Sequence, residues 1–90
     1  MTPTLVESFG IAVRRQRDAL GWSQELLAER ADLNRSYVGE VERGRVIPSL
    51  VTIEKLAQAL GLSPHALLQL GEQVGQSRRA HGINLAAIAC

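Results

Sequence analysis

The feature that most limits the fold of this chain is a pair of short helical segments separated by about three residues. Ser23 is a favourable N-cap for the first segment, which runs to about residue 31. Asn34 is a favourable N-cap for the second, which runs to about Arg43 and places Val38 and Val41 on one face. A connection this short is typical of a compact pair of packed helices.

Caps and glycine stops predict three more helices, at residues 5–20, 49–60 and 63–70. The fourth helix is expected to direct Leu50 and Leu56 inward. The last segment, 71–90, has three glycines and no steady period, which predicts a partly mobile tail at residues 72–90 beyond a domain at residues 1–71. No strand is predicted, so the expected fold is all-α, with five helices and a short C-terminal tail.

Composition agrees with packed helices and a single domain. Only three of the 90 residues are aromatic, so the core must be built from Leu, Val, Ile and Ala. The net charge is +1, so the chain has no polybasic character overall. Nine of its ten basic residues are arginines, whose planar donors suit phosphates and guanine edges. A composition bias of the source genome explains the arginines equally well.

Several classes of function find no support in the sequence. Cys90 is the only cysteine, so neither an internal disulfide nor a multi-cysteine metal site is expected. His65 and His81 stand apart from acids at metal-ligand spacing, and no catalytic triad or phosphate-binding glycine loop is present. We expect no enzyme, no cofactor and no metal. The chain has no apolar run of about 18 residues and no signal peptide, which predicts a cytoplasmic protein without membrane contact.

The stretch from Gly21 to Ser63, "GWSQELLAERADLNRSYVGEVERGRVIPSLVTIEKLAQALGLS", resembles the Cro/repressor-type (Xre-like) helix-turn-helix DNA-binding family. The matching pattern is Ser-Gln-x-x-Leu-Ala, then Tyr-hydrophobic, Glu-x-Gly and Pro-Ser-hydrophobic, and the resemblance covers about residues 6–70. Within that family, "NRSYVGEVERGR" is most similar to the controller proteins of restriction–modification systems. The resemblance implies a homodimer that binds an inverted repeat in double-stranded DNA and activates or represses transcription, with RNA polymerase as a further expected partner.

In such a fold the third helix lies in the major groove. Residues expected to face bases are Arg35, Ser36, Gly39 and Glu40. Arg35 suits a guanine edge, or else contacts phosphate only. Gly39 allows a close approach of backbone to DNA, or else close helix packing. Glu40 accepts a hydrogen bond from cytosine N4, orients Arg35 or Arg43, or is a bystander.

The remaining expectations concern the DNA backbone, the core and the dimer. Phosphate contacts are expected from Ser23, Gln24, Asn34, Tyr37, Arg43 and Arg45. Tyr37 also fits a half-buried packing role. The family pattern implies a partly buried ion pair between Arg17 and Glu42, which would join the first and third helices. A dimer surface is expected from Val46, Ile47, Leu67 and Leu70, unless the tail covers them.

Three alternatives to a restriction–modification controller stay open at this point. A phage-type repressor would use the same DNA-binding surface. An antitoxin would have a toxin protein as its main partner. A protein-interaction adaptor would reuse the fold without DNA, and loss of duplex binding in a folded Arg35→Ala variant would argue against it.

Overall fold

The structure is a computed structural model that describes the backbone of residues 4–89 and the side chains of residues 4–78. Five helices follow one another along the chain: α1 (Leu5–Ala19), α2 (Gln24–Ala31), α3 (Arg35–Glu42), α4 (Leu50–Ala59) and α5 (Pro64–Ala89). Residues 4–89 contain no strand. The predicted all-α class is therefore confirmed.

The helices begin and end where capping chemistry allows. The side chains of Ser23 and Ser49 accept hydrogen bonds from the backbone N–H groups of Leu26 and Thr52, at 3.0 and 3.1 Å. These bonds satisfy donors that have no partner inside a helix. At the other ends, three glycines adopt the left-handed conformation that a side chain would disfavour: Gly21, Gly44 and Gly61.

Asp32 closes α2 in the same conformation, with a φ of 55°, and no other non-glycine residue of the described chain has a positive φ. The backbone N–H of Leu33 then donates to the carbonyl of Ala28 at 2.8 Å. The bond turns the chain sharply, so that α3 begins only four residues after α2 ends. The short connection between α2 and α3 therefore depends on one residue in the left-handed conformation, Asp32.

All five helices contribute to one core. The largest fully buried apolar side chains are Phe9, Val13, Leu27, Val38, Val41, Leu56 and Leu67. Val38 and Val41 fix which side of α3 faces inward, and therefore which side is left for solvent. The α1 helix crosses the end of α3 at Gly10, where a side chain would collide with the carbonyl oxygens of Val41 and Glu42.

Two expectations about apolar residues were wrong, and a third, the place of Leu70 in a dimer surface, stays a prediction. Leu67 is completely buried in the core of its own chain, so it is not available for a dimer surface. Leu50 was expected to point inward but is 81% exposed, because it occupies the first position of α4 on its outer side. Leu70 is half-buried and lies beside Ala12 in a groove between α1 and α5.

The fifth helix is longer than predicted. The sequence pattern ended it near residue 70, whereas α5 continues to Ala89. Gly71 lies directly against the backbone of Phe9, so its lack of a side chain serves the contact between α1 and α5. Cys90 and the side chain of His81 lie outside the part of the chain that the structure describes. Among the described residues, no helix is sufficiently long and apolar to cross a membrane.

Candidate nucleic-acid interface

The outer face of α3 forms one side of a shallow polar groove. Five of the six lining residues belong to α3 or its C-cap, and the sixth begins α2: Arg35, Ser36, Gly39, Glu40, Arg43 and Gln24. The valines of α3 hold this face outward because they are fully buried on the opposite side. The structure therefore brings together the four residues predicted to face bases and two of those predicted to face phosphates.

Arg35 is the most available charge in this groove. Its side chain is exposed, and none of the ion pairs among the described residues includes it. It occupies the first residue of α3, directly after the cap Asn34. A guanidinium at the exposed start of a helix keeps all of its donors free for a planar acceptor pair.

The two caps that flank the turn keep donors of their own. The Ser23 hydroxyl oxygen accepts a hydrogen bond from the backbone N–H of Leu26 at 3.0 Å. The Asn34 amide oxygen accepts one from the backbone N–H of Ser36 at 2.8 Å. The hydroxyl hydrogen of Ser23 and the amide hydrogens of Asn34 are not used in these bonds. Both caps can therefore stabilise their helices and donate to a phosphate oxygen at the same time.

Gly39 is covered by a side chain of its own helix. A Cβ atom placed there would have Arg43 Nη2 at 3.2 Å and Nη1 at 3.3 Å, and its three nearest neighbours all belong to Arg43. Another helix does not supply any of these nearest atoms, which argues against the alternative of close helix packing. Glu40 Oε1 accepts a hydrogen bond from Arg43 Nη2 at 3.0 Å. Of the roles considered for Glu40, the structure contains the one in which it orients Arg43.

A buried ion pair lies under the groove, and it joins the residues that the sequence paired. Arg17 is only 9% exposed, and its Nε and Nη2 donate to the carboxylate of Glu42 at 2.8 and 3.0 Å. Its Nη1 donates to the Trp22 carbonyl at 2.8 Å. The hydrogen bond with Glu42 raises the pKa of the Arg17 guanidinium and outweighs the opposite effect of burial, so the guanidinium stays charged.

Glu42 also connects this pair to the groove, a link that the sequence did not indicate. Gln24 Nε2 donates to Glu42 Oε1 at 2.9 Å. An amide nitrogen carries two hydrogens, so one remains for a phosphate oxygen. The carboxylate that neutralises Arg17 thereby also fixes the orientation of the Gln24 side chain.

Tyr37 points toward α4, away from the centre of the groove. Its ring is half-buried against the core, and its hydroxyl lies 3.3 Å from Thr52 Oγ1. Ser49 Oγ donates to the same Thr52 oxygen at 3.2 Å. The packing role considered for Tyr37 is present, and its predicted phosphate contact stays a prediction. Arg45 is exposed just after the Gly44 turn and stays a candidate for phosphate.

A second surface is apolar and lies at the start of α4. Ile47, Leu50 and Val51 are 83%, 81% and 59% exposed, and we call these three residues the α4 patch. Val46, which the sequence grouped with Ile47, is half-buried against the core. Leu50 and Val51 were missed as surface residues, although the apolar run on both sides of Pro48 was a visible signal.

Among the described side chains, no group of three His, Cys, Asp or Glu residues is arranged to hold a metal ion. The side chain of His65 is exposed and lines an open groove with Leu5 and Leu68. Trp22 is half-buried, and the Arg30 guanidinium lies 5.3 Å from the centre of its ring. These contacts give Trp22 a packing role.

Comparison with known proteins finds a matching family and a similar protein. A family model described as helix-turn-helix matches residues 13–67. The control protein C.BamHI of Bacillus amyloliquefaciens is 44% identical over 69 residues, which are 76% of this chain and 85% of that protein.

Two solved structures extend the comparison. The restriction-modification controller protein C.AhdI from Aeromonas hydrophila is 54% identical with a TM-score of 0.66, over 70% of this chain and 94% of that one. The clp gene regulator ClgR from Corynebacterium glutamicum is 30% identical with a TM-score of 0.85, over 98% of this chain and 93% of that one.

Proposed function

This chain belongs to the helix-turn-helix family of DNA-binding transcriptional regulators, and from that premise we propose that it is a dimeric controller of a restriction–modification system. In this proposal it binds an inverted repeat near its own promoter through the polar groove on α3. The observation that carries the proposal is the unpaired, exposed Arg35 at the start of a helix whose opposite face is locked into the core. A DNA regulator works in the compartment that holds the DNA, so we propose a cytoplasmic location.

Base reading is assigned to the groove. Arg35 makes a bidentate contact with guanine O6 and N7, which contributes about 1–3 kcal/mol of discrimination. Ser36 and Glu40 lie on the same face and contact neighbouring bases. Phosphate contacts come from the caps Ser23 and Asn34, from the free amide hydrogen of Gln24, and from exposed residues around α3.

The α4 patch is the dimer surface in this proposal. It replaces Leu67, which is buried, and it retains Ile47 from the sequence-based prediction. Two copies joined through this patch would present two α3 helices to half-sites about 34 Å apart on one side of the DNA. Val46 would support the patch only from a half-buried position, whereas Leu70 lies in the groove between α1 and α5 and stays a separate candidate.

Selection of bound duplexes from a random pool tests this proposal. We expect a palindromic consensus whose half-sites are one helical turn apart. Arg35→Ala should weaken binding to the selected duplex by about tenfold or more while the fold is retained. Arg14→Ala is the matched control, because Arg14 is exposed on α1 and outside the groove. Equal effects of the two substitutions would remove Arg35 from base reading, and failure to select any duplex would favour an adaptor without DNA.

A regulator of clp genes is the second candidate function. The observation that favours it is α5, because the ClgR structure superposes on 98% of this chain and the C.AhdI structure on only 70%. The position of the selected operator separates the two functions. Operators beside endonuclease or methyltransferase genes support the controller, and operators before clp genes support the second candidate.

The remaining alternatives have direct tests. An antitoxin would copurify with a toxin encoded beside it, and a phage-type repressor would have its operators among phage genes. If the protein activates its own promoter, transcription with purified RNA polymerase should rise when the protein is added. That experiment also tests the proposed contact with RNA polymerase.

A further inference from the structure

We propose that Gly39, Glu40 and Arg43 act as one base-reading unit. Because Gly39 has no side chain, it leaves a space for the Arg43 guanidinium, and we call this space the seat. Glu40 sets the orientation of that guanidinium. The inference rests on the proposed DNA binding, and it changes two of the residue roles that were predicted from the sequence. Arg43 becomes a residue that distinguishes base sequences, and Gly39 acts through Arg43 instead of through its own backbone.

The position of the Arg43 side chain is the first observation. Arg43 is the C-cap of α3, four residues after Gly39, and helical side chains lean back over the preceding turn. A Cβ atom at Gly39 would lie 3.2, 3.3 and 3.6 Å from Nη2, Nη1 and Cζ. The two terminal nitrogens are nearer than Cζ, so the Nη1–Nη2 edge of the guanidinium points toward the position where a side chain would be.

The bond to Glu40 is the second observation. Arg43 Nη2 lies 3.0 Å from Glu40 Oε1, and the two side chains are 48% and 36% exposed. An exposed pair of this kind contributes little to the stability of the fold. Its effect is therefore on orientation, since it holds Nη2 and leaves the other donors of Arg43, which lines the groove, free for DNA.

Charge is the third consideration. Glu40 neutralises most of the charge of Arg43, so the unit gains little from the general attraction between cations and phosphates. A guanidinium that is already held in one orientation loses less freedom on binding than a free side chain does. Both effects favour discrimination between sequences over affinity for DNA in general.

The glycine itself needs this explanation, because the fold does not require it. Glycine is unfavourable inside a helix compared with alanine. At Gly39 the only adjustment that alanine demands is a shift of a few tenths of an ångström in the flexible end of Arg43. A Gly39→Ala substitution should therefore leave the fold intact or more stable, and displace Arg43 from its seat.

The test compares wild-type protein with Gly39→Ala, Arg43→Ala and the double variant. Binding is measured to the duplex selected by the wild-type protein and to a scrambled duplex of equal length. Gly39→Ala should raise the melting temperature and weaken binding to the selected duplex by about fivefold to tenfold, with less than about a twofold change on the scrambled duplex. In the Arg43→Ala background, Gly39→Ala should have no further effect on binding.

Two results would overturn the inference. If Gly39→Ala weakens binding equally with and without Arg43, the glycine backbone itself approaches DNA. If Arg43→Ala weakens both duplexes equally, Arg43 contacts phosphate only. Glu40→Gln supports the unit when it lowers the ratio of the two affinities, and counts against the unit when that ratio is unchanged.

The seat can also be measured without DNA, by nuclear magnetic resonance relaxation of the Arg43 Nε–H group. We expect restricted motion in the wild-type protein and faster, wider motion in Gly39→Ala. Unchanged motion would remove the role of Gly39 as a seat, even if the protein binds DNA. A wild-type protein that selects no sequence, but in which the Gly39→Ala effect on motion is present, would remove the proposed function and leave the seat in place.

Discussion

Arg17 is the residue through which stability and DNA binding are most directly connected. Its guanidinium is held by Glu42 and by the Trp22 carbonyl, so it joins α1, the turn after it and the end of α3. Glu42 in turn holds Gln24 at 2.9 Å. A single buried carboxylate therefore serves both the core and the edge of the groove.

Replacing one member of the Arg17–Glu42 pair should lower the free energy of unfolding strongly, whereas replacing both should lower it only slightly. Arg17→Met leaves the Glu42 carboxylate buried without its partner and should lower the free energy of unfolding by about 3–5 kcal/mol. The double variant Arg17→Met/Glu42→Leu should recover most of that loss, as measured by urea denaturation. A double variant as unstable as the single one would show that the pair does more than neutralise buried charge.

Asp32 offers a gain in stability by one substitution. Its φ of 55° is a conformation in which glycine is strain-free and a side chain is not. Its side chain is 97% exposed, and its ion pair with Lys55 is long, at 3.8 Å. Asp32→Gly should therefore raise the free energy of unfolding by about 0.5–1 kcal/mol.

Asp32→Ala is the matched control, and it should be less stable than the wild-type protein. Alanine keeps the strain of a Cβ atom, and non-glycine residues other than Asn and Asp tolerate this conformation less well. Thermal melts of the three proteins decide the order of stability. Equal melting temperatures for glycine and alanine would show that the left-handed residue is not a significant source of strain.

Among the helices, two glycines in similar positions should respond to alanine in opposite ways. A Cβ at Gly10 would collide with the carbonyl oxygens of Val41 and Glu42, which are backbone atoms that cannot turn aside. Gly10→Ala should therefore separate α1 from α3 and cost more than about 3 kcal/mol, a loss typical of strained cores. Gly39→Ala is the control, because it meets only the end of a flexible side chain.

Circular dichroism during urea denaturation measures both variants. The helix propensity of alanine favours both equally, so any difference reports the packing at Gly10. If Gly10→Ala were as stable as Gly39→Ala, α1 and α3 would be able to move apart without loss. The close crossing of these two helices would then not be essential to the fold.

The helices show which parts of the fold the sequence could predict. Helix starts were predictable because capping by Ser23, Asn34 and Ser49 is local chemistry. The length of α5 was not, because Gly71 lowers helix propensity locally but is needed for contact with Phe9 of α1. A contact between distant segments decided that helix, and local patterns do not contain it.

The candidate site was predictable to a similar degree. The outward positions of Arg35 and Ser36 followed from the inward spacing of Val38 and Val41. The bond from Gln24 to Glu42 did not follow, since it joins residues 18 apart in the sequence. Leu67 was predicted at the surface and is buried, whereas Leu50 was predicted in the core and is exposed. An apolar side chain alone does not show which side of a helix is covered.

For the whole molecule, the distribution of exposed apolar surface decides how two copies would meet. The described chain exposes five large apolar side chains, and three of them form the α4 patch, within five residues of one another. The other two, Leu5 and Leu20, lie on α1 and its C-cap and are separated in sequence. A grouped set of this kind is typical of a protein interface, whereas single exposed leucines are ordinary.

Leu50→Glu should therefore produce a folded monomer. The side chain is 81% exposed in the single chain, so a charge there costs little until a second copy must bury it. Analytical ultracentrifugation at micromolar protein should show a dimer for the wild-type chain and a monomer for this variant. Leu20→Glu is the control, since Leu20 is 47% exposed but outside the α4 patch, and it should remain dimeric.

Binding to DNA adds a second measurement to the same pair of variants. A monomer engages one half-site and loses the advantage of linking two contacts, so Leu50→Glu should bind the full operator at least about 100-fold more weakly. Its affinity for an isolated half-site should equal that of the wild-type chain, because Arg35 and the α3 groove are unchanged. A dimeric Leu50→Glu protein would move the interface elsewhere, and the half-buried Leu70 beside α1 would then be the next surface to examine.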